Sequence, residues 1–115
     1  MRKEYNSIQG AVGELQATKY IQSLSYKILE QNYKNKIGEI DIIAKDKNVT
    51  VFVEVKKRST LQYGRPSEAV DFRKQQKLRS VATLYLVKTK SLDADCRFDV
   101  IEELAGEINH IKNAF

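Results

Sequence analysis

The chain has 115 residues, of which 42% are hydrophobic and 30% charged, and it carries 20 Lys and Arg against 15 Asp and Glu. That length suits one domain over 1–115, and the composition supports a buried core and excludes a disordered chain. A lone cysteine, Cys96, rules out an internal disulfide, no apolar run nears the roughly 18 residues of a bilayer span, and the polar start has no signal-peptide pattern, so the expected compartment is the cytoplasm.

The charge is unevenly spread. Residues 1–50 carry eight basic and six acidic side chains, residues 51–90 ten basic and three acidic, and residues 91–115 two basic and six acidic. The middle block is thus strongly positive and precedes an acidic end. A basic block attracts polyanions through counterion release, with nucleic acid the commonest candidate. Charge alone fits a solvated lysine-rich helix face equally well.

In chain order, Ile8, Ala11, Val12 and Leu15, continued by Thr18 or Lys19, trace a stripe at helical spacing over 7–24. Ala17, Ile21 and Leu24 lie on its flank, Glu14 stands at its margin, and Asn6 or Ser7 can cap it. Tyr26–Tyr33 is a strand candidate, followed by a turn at Asn35–Gly38. Glu39–Lys45 and Val49–Lys57, rich in Ile and Val, are the clearest strands. Gly64–Ser67 breaks the pattern before a helix over 68–89 with Leu78, Val81, Ala82 and Tyr85 on one face. Two closing strands, Arg97–Glu102 and Glu107–Lys112, flank Gly106. The order helix, three strands, helix, two strands implies an α/β sandwich around a mixed sheet.

Strand parity locates the chemistry. Side chains alternate faces, so Glu39, Asp41 and Ile43 share one face of their strand, opposite to Ile40, Ile42 and Ala44. In the next strand Phe52, Glu54 and Lys56 share a face. A two-residue loop at Lys47-Asn48 pairs residues whose numbers sum to 95 and sets Asp41 opposite Glu54, whereas a three-residue loop sets Asp41 opposite Val53. Opposed carboxylates repel and need a compensating charge. Lys56 supplies part of it, and a divalent cation such as Mg²⁺, which favours carboxylate oxygen and often shares its site with a phosphate, supplies the rest. The competing reading is an ordinary solvent-exposed network of Asp41, Glu54 and Lys56.

Other chemistries drop out. His110 is the only histidine, which excludes zinc clusters and leaves it as an ordinary surface residue. Gly10-x-x-Gly13 lacks the Gly-Lys-Ser/Thr ending of a P-loop. Cys96 has no histidine near it in sequence and reads as buried packing.

Gly38-Glu39-Ile40-Asp41 followed by Val53-Glu54-Val55-Lys56 resembles the D-(spacer)-E-x-K signature of the PD-(D/E)xK nuclease superfamily. More closely, the chain resembles the YraN-like family of small bacterial proteins, which is similar to archaeal Holliday-junction resolvases. Gly10–Glu14, Asn32, Val51–Lys56, Gly64-Arg65-Pro66, Glu68-Ala69-Val70, Lys74-Gln75-Gln76-Lys77 and Arg97-Phe98-Asp99 follow in the family's order over roughly residues 8 to 102. Ile40 stands where the superfamily's name has proline, and Lys57 is more basic than the family pattern.

The resemblance implies a restriction-endonuclease-like αβββαββ sandwich and a metal-dependent endonuclease, or nuclease-like protein, hydrolysing DNA phosphodiester bonds at branched or damaged structures. It implies Asp41, Glu54 and Lys56 as catalytic residues. Asp41, Glu54, Glu14 and the Val55 carbonyl would hold Mg²⁺ or Mn²⁺, and Lys57, Arg58, Arg65, Lys74, Gln75 and Lys77 would contact nucleic acid. The expected partner is DNA before RNA, with no membrane and a homodimer allowed for. One alternative is a non-catalytic nucleic-acid-binding module that keeps the nuclease fold. Another is a protein-interaction domain using the acidic C-terminal segment as its contact surface.

Overall fold

The computed structural model describes residues 2–58, 70–104 and 106–115, with side chains described from Gly13 onward except that of Arg58. The elements are α1 (Arg2–Ser23), β1 (Lys27–Lys34), β2 (Glu39–Asp46), β3 (Val49–Arg58), α2 (Phe72–Lys88), β4 (Cys96–Leu104) and β5 (Glu107–Ile111). The strands form one sheet in the order β1-β2-β3-β4-β5, with β3 and β4 parallel and the other neighbours antiparallel. A parallel neighbour needs a crossover, and α2 supplies it. This is the mixed-sheet α/β architecture expected from the element order, and it is consistent with a restriction-endonuclease-like sandwich.

The two helices cover opposite faces, because consecutive strand residues fall into different clusters. Ile43, Phe52 and Val100 pack with Leu78, Val81, Ala82 and Tyr85 of α2. Ile42, Ala44, Val51, Val53 and Ile101 pack with Ala17 and Ile21 of α1. Parity fails once: Ile40 joins Ile43 on the α2 side rather than Ile42 and Ala44.

Three local expectations change. Helix α1 starts at Arg2, so Asn6 and Ser7 lie inside it rather than capping it; Arg2, Lys3 and Glu4 continue the helix without a Gly or Pro to stop it. Its buried side is the flank Gly13, Ala17, Thr18 and Ile21, while Leu15 is 55% exposed. Small residues let the helix approach the sheet closely: a Cβ on Gly13 would lie 3.6 Å from Lys57 Cβ. Helix α2 begins at Phe72 rather than 68, capped by Asp71, whose carboxylate accepts from the Lys74 amide at 2.9 Å.

Cys96 is exposed, not buried packing. It is the first residue of β4, whose buried run begins only at Phe98. Of the six acidic residues in 91–115, Asp99, Glu102 and Glu103 are buried, while Asp93, Asp95 and Glu107 are exposed. No helix among the described residues is long and apolar enough to cross a membrane.

Candidate active site

The β2–β3 hairpin turns on Lys47-Asn48, with Lys47 in the left-handed region at φ 55. Its register pairs Asp46 with Val49, Ala44 with Val51 and Ile42 with Val53. Every pair sums to 95, and the ladder ends at Ile42 and Val53, one step short of Asp41 and Glu54. Past that end the Asp41 carboxylate itself accepts from the Val55 amide at 2.8 Å. A side chain therefore stands in for a backbone acceptor at the open end of the hairpin, and Asp41 is fixed in orientation.

The cleft beside it is lined by Glu39, Asp41, Glu54, Lys74, Lys77 and Leu78 and encloses about 210 Å³. That is smaller than a typical drug-sized pocket and suits a phosphate group with its waters. Glu54 is 9% exposed and carries two ammonium groups on one oxygen. Lys74 Nζ donates to Oε1 at 3.1 Å, and Lys56 Nζ lies 3.8 Å from the same atom. On the neighbouring strand Glu102 pairs in register with Lys56 and is buried.

Electrostatics ties these groups together. Burial pushes the Asp41 carboxyl up to about 7, and the charges of Glu54 and Glu14 add to that, against the Val55 amide and Lys74. Burial and the adjacent Lys74 hold the Lys56 amine below the ordinary lysine value. Burial acts on Lys74 in the same direction, but Glu54 and the neighbouring groups outweigh it and raise Lys74 above that value.

The Asp41 shift has a stability consequence. The folded carboxyl keeps its proton to about pH 7, whereas an unfolded one releases it near 3.8, so metal-free stability falls as pH rises between those values. Asp41→Asn keeps an acceptor for the Val55 amide and removes the cost of ionisation. Urea unfolding at pH 8 without metal should show the variant more stable than the native chain, by on the order of 2 kcal/mol. At pH 4 the difference should shrink toward zero. A difference that does not change with pH would mean that Asp41 ionises as an ordinary surface carboxyl.

The remaining candidates scatter. Glu14 is half-buried on α1, near enough to Asp41 to influence its charge. Among the described residues, however, no three Asp, Glu, His or Cys side chains form a ready metal-ligating group. Val55 contributes its amide to Asp41. Lys57 is exposed, with its stem beside Gly13 of α1 and its ammonium 3.9 Å from Glu103. Gln75 donates its side-chain amide to the Val70 carbonyl at 2.8 Å, which ties down the entry to α2. Lys77 is exposed and lines the cleft, and it can lie there because Gly38 has no side chain: a Cβ on Gly38 would come within 2.9 Å of Lys77 Cε. The Arg58 side chain and Arg65 lie outside the described residues.

His110 is not a surface residue. Its ring is 6% exposed and sits 2.8 Å from the Asp99 carboxylate and 3.1 Å from the Tyr20 hydroxyl. The short sequence signal for this network is Arg97-Phe98-Asp99, which puts two opposite charges on one face around a buried aromatic.

The model of Uncharacterised protein family UPF0102 matches residues 13–102, which takes in Glu14, Asp41, Glu54, Lys56 and Asp99. A UPF0102 protein of Caldanaerobacter subterraneus subsp. tengcongensis is 47% identical over 122 residues, covering 100% of both chains. One of Clostridioides difficile is 49% identical over 112 residues, covering 96% of this chain and 98% of the relative. Another, of Clostridium botulinum strain Hall, is 50% identical over 114 residues, covering 92% of each. The chain belongs to the UPF0102 (YraN-like) family.

Proposed function

We propose that the chain is a metal-dependent nuclease that hydrolyses DNA phosphodiester bonds, acting at branched or damaged structures. The observation that carries this reading is the meeting of Asp41 and Glu54 with Lys56 and Lys74 at one cleft. Nucleic-acid binding alone needs cations and gains nothing from a buried and a half-buried carboxyl in a basic region. The donor chemistry fits a hard divalent cation: carboxylate oxygens gather where burial and mutual repulsion already make a second negative charge costly.

Asp41 and Glu54 would hold Mg²⁺ or Mn²⁺, with Glu14 adding negative charge nearby. The bound ion would supply Lewis acidity to activate water and polarise a phosphoryl oxygen. Lys56, on the same strand face as Glu54, orients the attacking water and faces the charge that develops on the phosphate. Lys77 at the cleft rim neutralises a neighbouring phosphate. Lys57 and Gln75 also make contacts within the fold, to Glu103 and to the Val70 carbonyl.

The test is incubation of the purified chain with linear, flapped and four-way DNA, with and without Mn²⁺. Cleavage that requires the metal and prefers the branched substrates is the expected result. One observation favours a second reading, a module that binds nucleic acid without cutting it: the Lys74 ammonium already occupies Glu54. Salt-sensitive binding with no cleavage under any divalent metal would establish that reading in place of the first.

A further inference from the structure

Lys74 is held in the cleft by its own helix. Its amide donates to the Asp71 cap, which fixes its backbone in the first turn of α2. It stands one helical turn before Leu78 on the line that continues through Val81, Ala82 and Tyr85, all buried. The stem therefore lies over the sheet, and the ammonium meets Glu54 at 3.1 Å from the opposite layer. Lys56 approaches the same oxygen at 3.8 Å from within β3. Two like charges on one carboxylate oxygen repel each other. Lys56 has its stem anchored on the sheet, while the Lys74 side chain is 40% exposed and has solvent to move into.

We propose that Lys74 is the resident cation of this cleft: its ammonium holds the position at Glu54 in the metal-free protein, yields it to a divalent cation, and then turns to the phosphate of the nucleic acid. This assignment rests on the nuclease reading above and gives Lys74 a positioning role that alternates between two anions. A divalent ion brings twice the charge and can engage Asp41 together with Glu54, which one ammonium does poorly. The incoming ion also repels the ammonium directly. The displaced lysine then lies beside the place where a phosphate approaches the ion, so metal binding converts an internal ion pair into a nucleic-acid contact.

The experiment uses the full chain. Lysine acetylation read by mass spectrometry should show Lys74 protected without metal and several-fold more reactive when Mn²⁺ binds, with the exposed Lys88 as an unchanged reference. Calorimetry should show Mn²⁺ binding Lys74→Met about fivefold more tightly than the native chain, since the competitor is gone. Duplex DNA binding by Lys74→Met should be weaker than that of the native chain, by a larger factor in Ca²⁺ than without metal. Lys74 labelling that is unchanged or reduced as Mn²⁺ binds would overturn the exchange while leaving the nuclease reading intact. A native chain that binds no divalent ion at all would remove both. The labelling readout is made on the native protein and does not depend on how any variant folds.

Discussion

Glu54→Ala should abolish divalent-cation binding and DNA cleavage together, whereas Lys56→Ala should abolish cleavage and leave the cation bound. The difference follows from their places on one strand face. Glu54 is the buried carboxyl on which both ammonium groups converge, so its removal takes away the oxygen donor nearest to Asp41. Lys56 donates no oxygen. Removing it deletes positive charge where the phosphate becomes most negative, a class of change that costs about 100- to 1,000-fold in rate. In metal-free buffer Glu54→Ala should bind DNA at least as tightly as the native chain, because Lys56 and Lys74 lose their internal partner. Calorimetry and gel cleavage on the same two proteins decide the matter. Unchanged metal affinity in both would reduce Asp41, Glu54 and Lys56 to a surface network, and persistent cleavage in both would place the activity elsewhere.

The hairpin was legible because its two strands are β-branched and joined by a short polar loop, so one loop length sets the register from Asp46–Val49 to Ile42–Val53. That arithmetic puts Glu54 and Lys56 on one face, whereas Asp41 lies beyond the last ladder pair and is fixed by accepting from the Val55 amide. What local periodicity does not encode is how a helix is rotated against the sheet. On α1 Leu15 is exposed, whereas Gly13, Ala17, Thr18 and Ile21 face the sheet, because close approach favours small residues over large ones. On α2 the same issue hid Lys74: counted as one of several basic residues, it read as a phosphate contact, although its spacing to Leu78 and Val81 already put it on the inner face. The surroundings of His110 were out of reach for a different reason. Its partners come from α1 and β4, and nothing short-range in sequence brings Tyr20 to residue 110.

That buried network carries the largest expected effect on stability. Asp99 is fully buried and accepts from Arg97 Nε at 3.0 Å, from the Asn113 amide at 2.9 Å, and pairs with His110 Nε2 at 2.8 Å. Arg97 also reaches Asp46 at 2.9 Å and the Tyr26 hydroxyl at 2.7 Å, while His110 continues to Tyr20. One carboxylate thus joins β4 to β5 and the C-terminal segment, and through Arg97 and His110 to Tyr26 just before β1, to β2 and to α1. Asp99→Ala leaves the Asn113 amide and the buried His110 ring without their acceptor and should cost about 3–5 kcal/mol, measured by urea unfolding at pH 7. The pH dependence has a definite sign. Burial alone would raise this carboxyl, but hydrogen bonds from His110, Arg97 and the Asn113 amide outweigh it and hold it below the ordinary 3.8. Its contribution is therefore complete above about 3.8, where an unfolded aspartate has also ionised, and is lost as pH falls through the lower folded value. Asp99→Asn should narrow its stability gap to the native chain below pH 4, the opposite of Asp41→Asn, whose advantage grows as pH rises. A gap for Asp99→Asn that stays constant from pH 7 down to pH 3 would mean that the carboxylate's charge contributes nothing and that only its shape is needed.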